Sequence, residues 1–518
     1  MSEATASRTP RSGPVEALRA LRAENPFITI SPAARLAIVI YFVGWRILPL
    51  CAQLTAEHDV ATAHQLLTIA CKILTQGLLL APMVSTRFFG ARMGWLHPLV
   101  LPALVSVLLT TLQSPETLLA PLLGWFAGFR EITHELYTGM PQEVLYRAQF
   151  RGAALTVLSV ICLYGGFAAS RLPIRLRQDR RREIRLHGGL YAAFFGLCFV
   201  VVVYFLDQQG GILRHMASFA SGRFAFREFA GPFLVVNDFL PVMLILWYLY
   251  RPQALRNPVF LGVFLLSCVF QFIVTGSRSG MFVPIATLLA AWMMVTRKVP
   301  AVRAILLGVT ALLLVGVLGE IRRSGSDGQV DFSSLVNFDL VEARDKAEEE
   351  LEGRDRDASM AVFVAVPQQV GHLWGKTYVA ALGFWVPRAI WKDKPRGAGP
   401  HTAALIYRGL DTMEGYTGGG IPPGGVAEAY WNFNIMGVML VYLLYGGFVR
   451  VLSDWYAERS RHPVRQLLLL VLMFQFTSPA TFQIVNMLQT SVLIFVLLGI
   501  TRLRNPVPMP AARRNLAT

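Results

Sequence analysis

Charge is scarce in this 518-residue chain: Asp, Glu, Lys and Arg together make up 15% of it, against 54% apolar residues. With a mean hydropathy of +0.48, that balance excludes a disordered or collagen-like chain and an ordinary soluble domain. Strict apolar/polar alternation is also lacking, which argues against a strand-built barrel. Cysteine is sparse. Cys51, Cys71, Cys162, Cys198 and Cys268 each fall inside an apolar stretch, with no CxxC or Cys/His spacing. A disulfide framework and a metal centre are therefore not expected. A cleavable leader is not expected either, because residues 1–33 are polar and carry Arg8, Arg11, Arg19 and Arg22 ahead of the first apolar run. Acids are fewer than bases, 32 against 48, giving a formal net charge of +16. The excess is spread over short loops between apolar runs. Such a distribution orients a chain against anionic lipid and excludes nucleic acid as the partner.

What the chain has in abundance is long apolar runs. They cover residues 34–54, 65–85, 95–113, 152–170, 189–206, 231–250, 257–275, 280–296, 302–319, 432–452, 465–479 and 483–501. A hydrocarbon core of about 30 Å takes roughly 20 apolar residues per crossing, so the expectation is an all-α, polytopic integral membrane protein with about twelve transmembrane helices. Residues 118–129 are too short to cross and too apolar for a free loop, and are read as re-entrant or interfacial. The organisation is a tail (1–33), nine spans (34–319), one large loop (320–431), three spans (432–501) and a second tail (502–518). The two tails and the loops at 87–92, 171–185, 251–256, 297–303 and 450–465 are strongly basic, whereas the alternate loops are weakly acidic overall. By the positive-inside rule both termini are cytoplasmic and the large loop lies outside.

The chemistry is expected on that outer side. Residues 320–357 are acid-rich and read as a solvated helix with i,i+4 pairs. From 358 onward the loop turns aromatic and glycine-rich. Arg388, Lys392, Lys394 and Arg396 lie within nine residues, with Trp385 and Trp391 between them. Such cations suit a phosphate and such indoles suit sugar faces, and the same residues also suit an aromatic belt with snorkelling bases. The stretch Gly418–Gly425 would allow close backbone approach to a bulky ligand. Glu428 follows it, just ahead of the next span. A second anion site is read at Thr275–Gly280, where Ser277 can cap the following helix and Arg278 stands at its positive end. Arg46, Lys72 and Asp238 are charges inside spans, all in the outer half, either pairing with one another or facing a cavity.

Three stretches resemble a known family. Thr275-Gly-Ser-Arg-Ser-Gly280 ahead of an apolar helix is similar to the short motif of the O-antigen ligase and polymerase superfamily. Val386-Pro-Arg-Ala-Ile-Trp-Lys-Asp-Lys-Pro395 and Gly420-Ile-Pro-Pro-Gly-Gly-Val-Ala-Glu-Ala-Tyr-Trp-Asn-Phe433 resemble the oligosaccharide repeat-unit polymerases of the Wzy type. The resemblance covers about residues 257–452. It implies a GT-C-like, inverting glycosyltransferase that needs no metal or other cofactor. It also implies a substrate, a polyprenyl-diphosphate-linked oligosaccharide, used at the periplasmic face of a bacterial inner membrane. On that reading Arg278, Arg388, Lys394 and Arg396, with Ser277, hold the diphosphate, and Glu428, with His401 second, serves as base for the acceptor hydroxyl. Trp385 and Trp391 would stack on glycan. Partners would be the lipid-linked glycan, membrane lipid and a chain-length regulator protein. A ligase using the same lipid donor and a lipid-linked glycan transporter are the competing readings. No internal repeat of the transporter kind is visible in the sequence.

Overall fold

The computed structural model describes residues 25–56, 63–104, 140–170, 186–217, 231–275, 278–299, 358–386, 390–408, 420–458 and 460–501. Helix α1 (Pro32–Tyr41) continues through a π-helical turn (Phe42–Ile47) into α2 (Leu48–Ala56). Its start is set locally: Ser31 accepts from the Ala34 amide at 3.2 Å and Pro32 occupies the first turn. Then come α3 (Ala63–Val84), a two-residue hairpin (β1 Arg87–Phe88, β2 Ala91–Arg92), α4 (Gln142–Ala169), α5 (Gly188–Gln208), α6 (Ile212–Ala217), α7 (Gly231–Tyr250), α8 (Pro258–Thr275) and α9 (Arg278–Thr296). The C-terminal part holds α10 (Lys376–Leu382), α11 (Ala398–Arg408), α12 (Gly425–Glu458), α13 (Pro463–Gln475) and α14 (Thr481–Thr501).

Among the described residues eight helices are long and apolar enough to cross a bilayer, and α9 and α13 are shorter apolar helices. Ten of the twelve expected spans thus coincide with helices. The expected span 302–319 and most of 95–113 lie outside the described residues, as do 118–129, the acid-rich 320–357, residues 1–24 of the first tail and the whole of the second.

The helices share two ends. After α9, Arg297 donates to the carbonyls of Asn25 and Pro26 at 3.3 and 2.7 Å and to Ser460 Oγ at 3.3 Å. The amide of His187, ahead of α5, donates to Thr501 O at 2.8 Å. These bonds gather the starts of α1, α5 and α13 with the ends of α9 and α14 at one end, called the base here. Helix α9 has 19 residues, about 28 Å at 1.5 Å per residue, so its first residue, Arg278, stands at the opposite end, the rim. The starts of α12 and α14 stand there too.

The tightest helix pair is α4 against α12. A Cβ on Gly166 would overlap the Leu443 carbonyl, and one on Gly446 would overlap the Leu163 carbonyl, so the two backbones touch. Small residues permit such contact where burial against lipid gives no driving force.

The described start of the large loop's second half packs on the helices: residues 358–365 are helical, and Val362, Val364 and Val366 are buried against α4 and α12. Arg151 of α4 caps the end of that helix, donating to Phe363 O and Val366 O, each at 3.0 Å. A helix of eight residues is too short to span, yet apolar enough to be buried. The following span, expected from residue 432, continues a helix that precedes it. Helix α12 begins at Gly425 and is broken at Phe433 and Asn434 (φ +59°). The carbonyls freed at the break are taken by the Leu373 amide (to Trp431 O, 3.0 Å) and the Trp374 amide (to Asn432 O, 3.1 Å).

Candidate functional site

The rim site rests on the first half of α12 and on the two short helices folded over it. Gly399, at the start of α11, lies against Gly420 so closely that a Cβ on either would press on the other's backbone, and the Ile421 amide donates to Gly399 O at 3.0 Å. At Gly420 the glycine stretch therefore makes its close approach to the chain itself, while a Cβ at Gly424 would meet nothing within 4 Å. Helix α10 turns Thr377, Ala380 and Ala381 inward and leaves Lys376 exposed.

This folding brings three of the site's groups together. His401 of α11 sits with its ring edge-on to Trp431, centroids 6.1 Å apart. Burial holds its imidazole below the ordinary value of about 6.5, and the positive charges of Lys376 and Arg396 push it the same way. Two exposed cations thus lie near an imidazole that is neutral at pH 7. Arg396 and His401 were legible as candidates; Lys376 was not, because a lone lysine after Trp374-Gly375 carries no pattern. The neutral form persists as the pH falls through 6.5. Diethyl pyrocarbonate labelling of the His401 peptide, read by mass spectrometry, should show a midpoint below 6.5 that moves upward in Lys376→Met. A midpoint above 6.5 would contradict the arrangement.

Glu428 is buried at the start of α12. Its side chain is 1% exposed. Oε2 accepts from the Thr481 amide at 3.0 Å, Oε1 accepts from the Thr481 hydroxyl, and the Thr377 hydroxyl bonds the carboxylate as well. Asn432 Nδ2 closes the cluster on Thr377 Oγ1 (2.9 Å) and Glu428 O (2.8 Å). Thr481 is the first residue of α14, so the carboxylate caps that helix and favours its positive end. Glu428 thus ties α10, α12 and α14 together. Removing it strands buried donors at about 1–3 kcal/mol each. Glu428→Ala should therefore lower the melting temperature markedly, and Glu428→Gln, which keeps one acceptor, much less. Equal melting of all three proteins would contradict the cap.

The remaining candidates are dispersed. Lys394 directs Nζ to the carbonyls of Phe384 (3.2 Å) and Val386 (3.1 Å), stapling its own turn, and Trp391 packs on Gly383. Those contacts are the physical reason to read both as supports of the loop and not as ligand contacts. Lys392 and Trp385 are exposed. Ser277 and Arg388 lie outside the described residues, and Arg278 is described in its backbone only, at the start of α9. Arg46 lies in the π-helical turn and Lys72 in α3, which pack on each other; Asp238 lies in α7, which packs with α5, α8, α9, α13 and α14. The three charges share the rim half without sharing one group of helices. Among the described residues no cluster of three or more His, Cys, Asp or Glu could hold a metal ion. In comparisons with known proteins, no family model, no curated protein and no solved structure matches the chain.

Proposed function

We propose that the protein polymerises polyprenyl-diphosphate-linked oligosaccharide repeat units by inverting, metal-independent glycosyl transfer at the periplasmic face of a bacterial inner membrane. The observation that carries this reading is that two exposed cations, Lys376 and Arg396, lie near enough to the half-buried His401 to disfavour its charged form. The exposed bases Arg87, Arg92, Arg251, Arg256, Lys298 and Arg461 stand at the base, which supports a cytoplasmic base and a periplasmic rim.

In the reaction the acceptor hydroxyl attacks the anomeric carbon of the donor from the face opposite the diphosphate. The new C–O bond forms as the bond to the diphosphate oxygen breaks, and the bonding pair leaves with polyprenyl diphosphate. Negative charge grows on that leaving group, and Lys376 and Arg396 stabilise it there, with Arg278 on the same rim. His401, being neutral, takes the hydroxyl proton. Glu428 acts one step away by holding α10, and with it Lys376, against α12 and α14. The reading is tested with purified protein in liposomes supplied with a lipid-linked repeat unit and no ion gradient. A ladder of lipid-linked multimers is expected. Recovery of the single repeat unit alone, from protein that melts cooperatively, would overturn it.

A further inference from the structure

The rim carries apolar surface that the chain leaves uncovered. On α10 the small residues Thr377, Ala380 and Ala381 face inward while Val379 and Leu382 face out, the reverse of a helix lying on water. Leu382 is 67% exposed, Trp385 72%, Ile390 78% and Trp374 72%. Trp374 is turned outward on a backbone with φ +49°. Contiguous exposed surface of this kind marks an interaction site.

Its position indicates the occupant. The Leu373 and Trp374 amides bond the carbonyls at the break in α12. Phe433 at that break stacks on Tyr378, with ring centroids 6.4 Å apart and planes within 8°. Beyond Phe433 the outward residues of α12 are Met436, Leu440 and Leu444, all exposed and all on a helix of bilayer-spanning length. The patch therefore begins at the break, where the outward apolar residues of α12 start. Lys392 and Asp393, exposed just past Ile390, give it a polar edge. Tryptophans with a charged border are the composition of the headgroup level.

We propose that α10 and the surface formed by Trp374, Leu382, Trp385 and Ile390 lie in the interfacial layer of the bilayer, with lipid as the occupant. This assignment stands independently of the glycosyl-transfer reading. It puts Lys376 at the depth of lipid phosphates, and it makes Trp385 a membrane anchor in place of a sugar platform.

Spin labels at Leu382→Cys and Ile390→Cys, in protein whose five native cysteines are replaced and which is reconstituted in liposomes, test it. Collision with oxygen relative to a water-soluble nickel complex should be several-fold higher at these two sites than at Lys392→Cys, and close to that at Leu440→Cys. Labels open to the nickel complex would overturn the proposal, and so would labels shielded from both reagents, the outcome expected of a second copy or another protein. Should the cysteine-free protein fail to fold, the native chain with Trp374→Phe and Trp385→Phe provides the test. The emission lost should be the part quenched by lipids brominated near the headgroup; loss of emission quenched by aqueous iodide, or by neither quencher, would overturn the proposal.

Discussion

Replacing both Lys376 and Arg396 with alanine should lower glycan elongation about 100-fold or more, the range seen when a donor to developing negative charge is removed. Both side chains are exposed, so the folded state should be little affected and the melting temperature should hold. Each single replacement should cost roughly tenfold, because exposed charges are partly screened by water and salt. The loss should fall mainly on kcat, since charge on the diphosphate grows as the glycosidic bond breaks. Arg396→Lys should keep part of the rate, as a point charge without the paired donors of guanidinium. Assay of the reconstituted variants against a lipid-linked repeat unit checks this. Full activity in the double variant would remove the pair from the mechanism.

The second large effect concerns the fold. Leucine at Gly446 or Gly166 should prevent α4 and α12 from packing, since its Cβ alone would overlap a carbonyl of the facing helix. Neither backbone can give way without moving a helix that also carries part of the site: Arg151 on α4 caps the buried 358–365 helix, and Glu428 on α12 caps α14. A loss above about 3 kcal/mol belongs to this kind of core overpacking. The check is size-exclusion chromatography and thermal unfolding in detergent, where the variants should aggregate or melt far below the parent. Gly196→Leu and Gly262→Leu are the controls, because a Cβ at either position meets nothing within 4 Å. A Gly446→Leu protein that melts like these controls would show that the close crossing is not needed.

Span positions were readable because a bilayer imposes one length on every crossing helix, and a run such as 189–206 announces itself by length alone. The 358–365 helix was missed because eight residues satisfy no span rule, and what buries it, Arg151, stands 212 residues away in the chain. The break at Asn434 has no proline or glycine to mark it; the carbonyls it frees are satisfied by Leu373 and Trp374, a pairing only the folded chain displays. In the site, Arg396 and His401 were visible as residue types in a basic, aromatic stretch. Lys394 and Trp391 share that stretch and are used within it, on the carbonyls of Phe384 and Val386 and on Gly383. A cation open to solvent and a cation that staples a turn look alike in sequence. Glu428 was visible as an acid near a span, but the amide that engages it belongs to Thr481, 53 residues on.

The account depends on a lipid-borne diphosphate being held at the rim by these cations. The most direct measurement is an electron cryo-microscopy structure of the protein in nanodiscs with polyprenyl diphosphate. The account predicts the two phosphates within hydrogen-bonding distance of Lys376 Nζ and the Arg396 guanidinium. Diphosphate density at the base, or at the rim but beyond reach of both side chains, would contradict it.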